Sequence, residues 1–257
     1  MTAFVKRNSA APAGFFGCEA AGLQWLSAAV GGVPCATVID HDERSITLQR
    51  LQSGAPTRDA AYEFGGRLAR THDAGADAFG APPAGWVGEG FFGPLQHPLP
   101  MSMTGHDSWG AFYARERLTP MAALAADRLS AEAKESVREV ISRCEAGVFD
   151  DDEPPARLHG DLWSGNVMWT PDGVVLIDPA AHGGHRETDL AMLELFGCPH
   201  LDAVIAGYQE HRPLLDGWQR RTGLHQLYPL LAHVVLFGGG YAAQTASAAG
   251  SALSATG

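Results

Sequence analysis

The chain has 257 residues, of which 46% are hydrophobic and 18% are charged. This is the composition of an ordinary globular protein, and the length is sufficient to bury a sizeable core in one large domain or in two lobes. The formal net charge of -11 argues against nucleic acid and against an anionic membrane surface as partners, so small-molecule ligands are expected.

The N-terminal residues predict a strand followed by a helix. Residues 4–7 have the pattern of a strand end, and residues 15–26 carry apolar side chains near helical spacing. Lys6 and Glu19 occupy these two elements, and kinases use a strand Lys paired with a helix Glu to hold the α- and β-phosphates of ATP. Considered alone, a Lys and a Glu 13 residues apart are usually two unrelated surface charges, and it is the motif downstream that favours the pair.

Two β-type runs follow, at residues 36–39 and 45–51, and they are expected to complete a small sheet. The second run leads through a Gly- and Pro-containing segment into a helix, so the break between lobes belongs near residues 50–56. We therefore predict an N-lobe over residues 1–52 and a C-lobe over residues 53–257.

The end of the second run lies where the two lobes would meet. A strand that crosses there offers backbone groups to the edge of an adenine ring, and we include Gln49 and Leu51 as candidate nucleotide contacts. A plain turn between elements explains these residues equally well.

The C-lobe is predicted to be mostly helical. Apolar side chains recur at helical spacing in residues 58–72, 107–118, 130–147, 201–208 and 227–237. The chain ends in small residues from 242 to 257, which offer little to pack, so this segment is expected to fray.

Two segments resemble functional motifs but lack the context that those motifs need. Residues 88–93 match G-x-G-x-x-G, yet they run into Pro94 rather than into a helix, so we do not interpret them as a phosphate-binding loop. The acidic run at residues 150–153 resembles a metal cluster, but consecutive acids before two prolines more often form a solvated linker.

The stretch most informative about function is residues 159–166, His-Gly-Asp-Leu-Trp-Ser-Gly-Asn. In the general kinase plan an Asp accepts the proton of the acceptor hydroxyl, and an Asn a few residues later binds magnesium. Asp161 and Asn166 have this order and spacing. Singly, each suits a structural use as a turn cap or a strand start, and it is the combination that favours catalysis.

A β-hairpin is predicted directly after this stretch. Apolar runs at residues 167–170 and 174–177 flank a Pro-Asp-Gly turn signal. Folding about Asp172 places Asn166 opposite Asp178, so that an amide and a carboxylate emerge together at the open end. Two oxygen ligands on adjacent strands suit magnesium.

The segment after the hairpin contains two histidines before a predicted helix. His182 and His185 lack Cys or acid partners at zinc-ligand spacing, so they are expected to form local hydrogen bonds or to line a substrate cleft. The helix should begin at Thr188 or Asp189, and Asp189 is predicted to hold the catalytic loop in place.

A reducing cytoplasm is the expected location. The four cysteines include no C-x-x-C pair, which indicates neither a zinc site nor a disulfide framework. No apolar run follows the basic residues near the N-terminus, as a signal peptide would require, and the apolar residues 224–237 are too few to span a bilayer. We predict no membrane segment, and a monomer or weak homodimer.

Together these motifs resemble the fructosamine kinase (ketosamine-3-kinase) family, whose members are related to aminoglycoside phosphotransferases and choline kinases. The stretch at 159–166 is specific, because Trp after Asp-Leu is rare in other small-molecule kinases. The resemblance implies an α+β, protein-kinase-like, two-lobed fold with a small N-lobe sheet and a larger helical C-lobe. It also implies ATP- and Mg²⁺-dependent phosphorylation of the sugar 3-hydroxyl of a ketosamine, in a deglycation role. Further matching segments are residues 4–6, 19–23, 93–96, 109–118, 177–180 and 186–193.

The resemblance also assigns roles to single residues. It implies Asp161 as the base, Asn166 and Asp178 as magnesium ligands, and Lys6 as the contact to the ATP phosphates, with Glu19 as its partner.

Trp163 is the residue that distinguishes ketosamine kinases, and its indole is expected against the apolar face of the sugar. Packing under the catalytic loop is its alternative role. We place His159 and His185 with it as candidate substrate contacts. Gln49 and Arg50 depart from relatives, which usually carry an acidic residue in this region.

A second departure lies at the start. Relatives have a Gly-containing strand hairpin ahead of the Lys, whereas five residues precede Lys6 here, so the N-lobe is expected to be incomplete. Loss of this phosphate lid is expected to cost on the order of 10²-fold in rate. Two alternatives to a ketosamine kinase therefore stay open: a kinase of another small alcohol, such as an aminoglycoside or choline, and a catalytically weak nucleotide-binding protein.

Overall fold

The computed structural model describes residues 2–255. Its N-terminal part is a three-stranded antiparallel sheet, ordered β1-β3-β2, with one helix packed against it. Ile46 and Leu48 alternate with less buried residues along β3, because successive side chains point to opposite faces of a sheet. The elements are β1 Ala3–Arg7, α1 Phe15–Ser27, β2 Val38–His41 and β3 Ser45–Gln49.

The rest of the described chain is mostly helical, as predicted. The helices are α2 Arg58–Asp73, α3 Trp109–Phe112, α4 Thr119–Ala125, α5 Ala131–Glu145, α6 Glu187–Leu195, α7 Leu201–His211, α8 Trp218–Phe237 and α9 Ala242–Ser254. A π-helical segment, Tyr113–Leu118, joins α3 to α4. Three antiparallel strand pairs lie between the helices: β4 Gly90–Phe92 with β5 Leu99–Met101, β6 Ala156–Leu158 with β9 His182–Gly184, and β7 Val167–Thr170 with β8 Gly173–Leu176.

Several helices begin at side chains that cap their first turn. The hydroxyl of Thr57 accepts a hydrogen bond from the backbone N–H of the residue three positions later, and Ser108 and Ser130 do the same for α3 and α5. Each such cap stabilises a helix by about 1 kcal/mol. The predicted helix start at Ser130 is confirmed.

Buried apolar side chains form two clusters. The first surrounds α8 and includes residues of α4, α5 and α9, with Leu231 and Val140 fully buried. The second joins α1 and β3 to α2 and α7. Ala180 belongs to the first cluster and Ala181 to the second, so the segment that follows β8 lies where the two cores meet.

The expectation that the chain end frays is wrong for the residues that the structure describes. Helix α9 packs against α5 and α8, and Ala249 and Ala252 are completely buried. Small side chains allow helix backbones to approach closely, and α9 meets α8 beside Gly223. The run of small residues was therefore an indication of close packing.

Three of the four acids in the run at residues 150–153 are exposed, as expected of a solvated segment, but the run also makes specific contacts. Asp150 accepts a hydrogen bond from the N–H of Gly110, and Asp151 pairs with His185. Glu153 binds the guanidinium groups of both Arg186 and Arg212. These acids hold elements together that lie far apart in the sequence, which local composition does not reveal.

Within residues 2–255 no helix combines the length and apolar character needed to cross a bilayer. All four cysteine thiols are free, in agreement with the sequence analysis.

Candidate active site

A cavity of about 560 Å³ opens between the N-terminal sheet, the end of the β7–β8 hairpin and helix α8. Part of its wall comes from α1 and from the loop between β4 and β5. Six of the residues selected from the sequence line it: Lys6, Glu19, Asp161, Trp163, Asn166 and Asp178. The residues of the proposed phosphotransfer group therefore come together although they span most of the chain.

The loop that carries Asp161 is fixed by Asp189, as predicted. The carboxylate of Asp189 accepts hydrogen bonds from the backbone N–H groups of His159 and Gly160, at 2.8 and 2.9 Å, and it is fully buried. Gly160 has a φ of +79°, and a Cβ at this position would clash with the carbonyl oxygen of Ala180. Only glycine fits this bend without strain.

Asp161 is the candidate base, and its environment disfavours the charged form. Burial raises its pKa to about 7, with further contributions from the negative charges of Asp178 and Asp189. A hydrogen bond of 3.2 Å from the Asn166 amide acts in the opposite direction. A carboxylate with a pKa near neutrality is suited to accept a proton and release it again.

The hairpin register differs from the prediction by one residue. Val167 pairs with Leu176, and the N–H of Ile177 donates to the carbonyl of Asn166 at 3.2 Å, so Asn166 lies opposite Ile177 rather than Asp178. The turn contains two residues instead of three, because Gly173 already belongs to β8. Asp178 still lies beside Asn166, because the side-chain amide nitrogen of Asn166 is 3.4 Å from the backbone carbonyl oxygen of Asp178.

Lys6 connects the N-terminal sheet to this group. Its ammonium donates to both carboxylate oxygens of Glu19, at 2.9 and 3.0 Å, and to Asp178 at 2.9 Å. Burial opposes the charge, but the two carboxylates more than offset it, so the pKa of Lys6 is raised. Lys6 is therefore a fixed cation at the head of the cavity.

The donor set of this group fits a magnesium ion. The Asn166 amide nitrogen donates to the backbone and side-chain oxygens of Asp161, which orients the amide and leaves its oxygen as the available ligand atom. The second candidate ligand is the carboxylate of Asp178, which also lines the cavity. Amide and carboxylate oxygens are the ligand atoms that Mg²⁺ prefers.

Comparison with known proteins identifies the group to which this arrangement belongs. The model of the fructosamine kinase family matches residues 1–255. The chain is a member of the fructosamine kinase family. A relative named as a probable ketoamine kinase, from Synechocystis, is 36% identical over 246 residues, which cover 94% of this chain and 79% of the relative. Another, from Enterococcus faecium, is 32% identical and is covered to 84% of its length.

Solved structures confirm the fold of this kinase. A crystal structure assigned as a fructosamine-3-kinase from Thermobifida fusca is 46% identical, with a TM-score of 0.89 over 98% of this chain and 85% of that one. A gentamicin complex of an aminoglycoside phosphotransferase has a TM-score of 0.59 at 13% identity, covering 99% of this chain and 84% of that one, which shows a shared fold alone. The kinase thus has the predicted protein-kinase-like architecture, and membership in a kinase family implies ATP use.

Two residues expected to contact substrate lie elsewhere in the kinase. His159 is fully buried, and its Nε2 lies 2.9 Å from the carbonyl oxygen of Ile177, to which it donates. His185 is buried against the Trp109 ring and donates to Asp151 at 3.1 Å. Neither is among the residues that line the cavity, so this structure gives no support to their contact with substrate, which stays a prediction.

The expectation that His185 has no acidic partner is also wrong. His185, Glu187 and His225 place one potential ligand atom each within 4.8 Å of one another. Arg221 pairs with both oxygens of Glu187, at 2.5 and 2.9 Å, and the whole cluster is connected by hydrogen bonds. Because both carboxylate oxygens of Glu187 are occupied by Arg221 and the N–H of Glu187 donates to Nδ1 of His185, we interpret the cluster as a structural network.

Gln49 and Leu51 are not among the cavity-lining residues. The N–H of Gln49 donates to the carbonyl of Thr37, and the side chain of Leu51 packs against the second apolar cluster. Their contact with adenine stays a prediction.

Part of the cavity wall was not expected from the sequence. The loop after β4, residues 93–96, lines the cavity, and the amide of Asn8 donates to the carbonyl of Leu95 at 2.8 Å. Phe91, Phe92 and Gly93 of the G-x-G-x-x-G match also line the cavity, and the two phenylalanine side chains offer it an apolar surface. A group of aromatic residues forms the opposite wall: Phe196, His233, Phe237 and Tyr241. The last three are four residues apart, a spacing that could have indicated a shared helix face.

Proposed function

We propose that this kinase transfers the γ-phosphate of ATP to the 3-hydroxyl of the sugar in a small ketosamine. The observation that carries the proposal is the position of Asp161. It lies in the cavity two residues before Trp163, on a loop held by Asp189, and it shares the cavity with the Lys6 cation.

The phosphate side of the cavity is the group around Lys6. Its ammonium binds the ATP phosphates, and Glu19 keeps it in place. Asn166 and Asp178 hold Mg²⁺, which, when bound, neutralises negative charge on the phosphate oxygens. Asp178 connects the Lys6 cation to the magnesium site, because its carboxylate is a candidate Mg²⁺ ligand and also pairs with Lys6.

The acceptor side is built around the base. Asp161 takes the proton of the sugar hydroxyl while the hydroxyl oxygen forms a bond to the γ-phosphorus of ATP. The bond from that phosphorus to the ADP oxygen breaks, and ADP leaves. Trp163 is 41% exposed and lines the cavity, where its indole offers a flat face to the sugar ring. The same ring packs over Gly165, so both roles considered for Trp163 are compatible.

The charge of the cavity favours a ketosamine over a polycationic aminoglycoside. Its lining contains the carboxylates of Glu19, Asp161 and Asp178, two of which already bind Lys6 while the third is the candidate base. The ketosamine group itself contributes one ammonium group, and in a lysine adduct the second ammonium group is accompanied by the carboxylate of the same amino acid. An aminoglycoside carries several ammonium groups, for which this lining supplies no partners.

The experiment is ADP release by the purified kinase with ATP and Mg²⁺, using ribulosyl-lysine, fructosyl-lysine, choline and kanamycin as acceptors. We expect turnover with the ketosamines that is lost in an Asp161→Asn variant. NMR of the product should show the phosphate at the 3-hydroxyl, and subsequent release of free lysine would establish a deglycation role. Faster turnover of kanamycin or choline, or ketosamine turnover that survives in the variant, would overturn the proposal. Silence with all four acceptors would favour the weak nucleotide-binding alternative.

A further inference from the structure

The wall of the cavity that adjoins Trp163 consists of aromatic rings. Phe196 lies 6.3 Å from Trp163, and His233 stacks on Phe196 at 4.6 Å. Phe237 and Tyr241 lie 5.2 and 5.0 Å from His233, measured between ring centroids. We call these five residues the aromatic wall. It is continuous, and all its members line the cavity.

The wall lies on the acceptor side of the site. It begins at Trp163, two residues after the candidate base, whereas the Lys6 cation that would bind phosphates belongs to the N-terminal sheet. Helix α8 and the turn after it supply His233, Phe237 and Tyr241. A ligand with its hydroxyl at Asp161 and its sugar ring at Trp163 therefore extends along the remaining rings.

The wall is apolar and carries no formal charge. Burial lowers the pKa of His233, so its imidazole is neutral near pH 7. Its Nδ1 donates to the carbonyl of Pro229 at 2.7 Å, which makes Nε2 the nitrogen that accepts a hydrogen bond. Phe237 is 59% exposed, an unusual amount for a large apolar ring, and it is the part of the wall most open to a ligand.

We propose that the aromatic wall binds the amine portion of the ketosamine and makes the kinase selective for adducts of amines with an apolar or aromatic substituent. The inference rests on the proposed function. A ketosamine nitrogen is a secondary ammonium, and aromatic faces attract such a cation without a carboxylate partner. The substituent beyond the nitrogen then packs on Phe237 and Tyr241. Adducts of small free amines are therefore preferred to adducts whose amine carries a charged group next to the nitrogen.

The test compares two fructosyl adducts, one of benzylamine and one of methylamine, in steady-state assays of ADP release. We expect the unaltered kinase to have a lower KM for the benzylamine adduct. Phe237→Ala should raise that KM about tenfold, the change that corresponds to the loss of one ring contact, with kcat nearly unchanged. The KM for the methylamine adduct should change by less than about threefold.

Matched variants distinguish the effect of losing the aromatic face from the effect of losing side-chain volume and from an unspecific loss of activity. Phe237→Leu keeps an apolar side chain but removes the π face, and it should give an intermediate KM. Tyr241→Ala should resemble Phe237→Ala, and Tyr241→Phe, which keeps the ring, should raise the KM for the benzylamine adduct less than Tyr241→Ala does. Tyr62→Ala removes an exposed aromatic ring outside the cavity and serves as the control for an unspecific loss. Melting temperatures of all variants show whether they are folded.

Two results would overturn the inference while the proposed function stands. One is equal KM values for both adducts that change together in Phe237→Ala, and the other is a rise in the KM for ATP instead of the acceptor, which would place the wall in the nucleotide site. Absence of turnover with every ketosamine in the unaltered kinase would instead remove the proposed function, and the inference with it.

Discussion

The carboxylate of Asp189 should control both the stability of the kinase and the position of its base. Asp189 is fully buried and accepts two backbone hydrogen bonds from the catalytic loop, and His72 lies 3.2 Å from it. In Asp189→Asn, one oxygen becomes an amide nitrogen that faces an N–H group. One hydrogen bond to a charged acceptor is lost, and a buried N–H is left without a partner.

The size of the effect follows from these two losses. A hydrogen bond to a charged group contributes about 1.5–3 kcal/mol, and an unpaired buried donor costs about 1–3 kcal/mol. We expect the free energy of unfolding to fall by about 2.5–6 kcal/mol. Because Gly160 and Asp161 are adjacent, release of the loop should also displace the base, and a displacement of about 1 Å can reduce the rate about 10²-fold.

The measurements are urea unfolding and the steady-state rate of ADP release. Asp202→Asn is the matched control, since it makes the same change in an exposed ion pair with Arg58, where we expect a loss below about 1 kcal/mol. If Asp189→Asn unfolds at the same urea concentration as this control and keeps its kcat, Asp189 does not hold the loop, and the reasoning is refuted.

Three further outcomes are expected. Gly160→Ala should be more destabilising than Gly85→Ala, because both positions have a φ near +80° but the added methyl clashes only at the first, while nothing lies within 4 Å of the second; equal melting temperatures of the two variants would contradict the clash. Burial lowers the pKa of His182 to about 3 from its usual 6.5, so the unfolded chain binds one more proton than the folded chain between these values, and stability is lost as the pH falls through this window. In His182→Gln the slope of unfolding free energy against pH should therefore decrease by about 1.4 kcal/mol per pH unit, and an unchanged slope would show that His182 is not buried in its neutral form. Finally, the acidic limb of kcat/KM against pH should lie near 7, with the rate rising as Asp161 ionises, and a limb below pH 5 would show that its carboxyl is not perturbed in the free enzyme.

The sequence was sufficient for those features that depend on the type and order of residues. Lys6 and Glu19 are only 13 residues apart, on a strand and a helix whose patterns were clear, and they form the predicted ion pair. The link from Asp189 to the catalytic loop was also predicted. In both cases the general arrangement of kinase active sites indicated a contact between distant residues, which hydrophobic periodicity alone does not indicate.

Other features depend on packing that a single sequence does not encode locally. The hairpin register was wrong by one residue because a Pro-Asp-Gly segment allows a two- or a three-residue turn, and the choice depends on how Gly173 pairs with Thr170. The burial of His159 was not foreseen because either side of the loop was a possible direction for its ring. The aromatic wall was missed because Phe196 and His233 are far apart in sequence and meet only when α8 packs beside α6.

In the cavity, the charged residues proposed for phosphate transfer are distinct from the aromatic residues proposed for acceptor selectivity. The groups that we propose to act on phosphate and proton are connected to one another: Lys6 pairs with Asp178, Asp178 lies beside Asn166, and Asn166 donates to Asp161. A change in one of them alters the environment of the others, so their substitutions should not be additive. The side chain of Phe237, in contrast, has no polar atom, and its ring contacts the rings of His233 and Tyr241. Substitutions there should combine additively with those of the charged group, which would allow the acceptor preference of the kinase to change while the transfer chemistry stays intact.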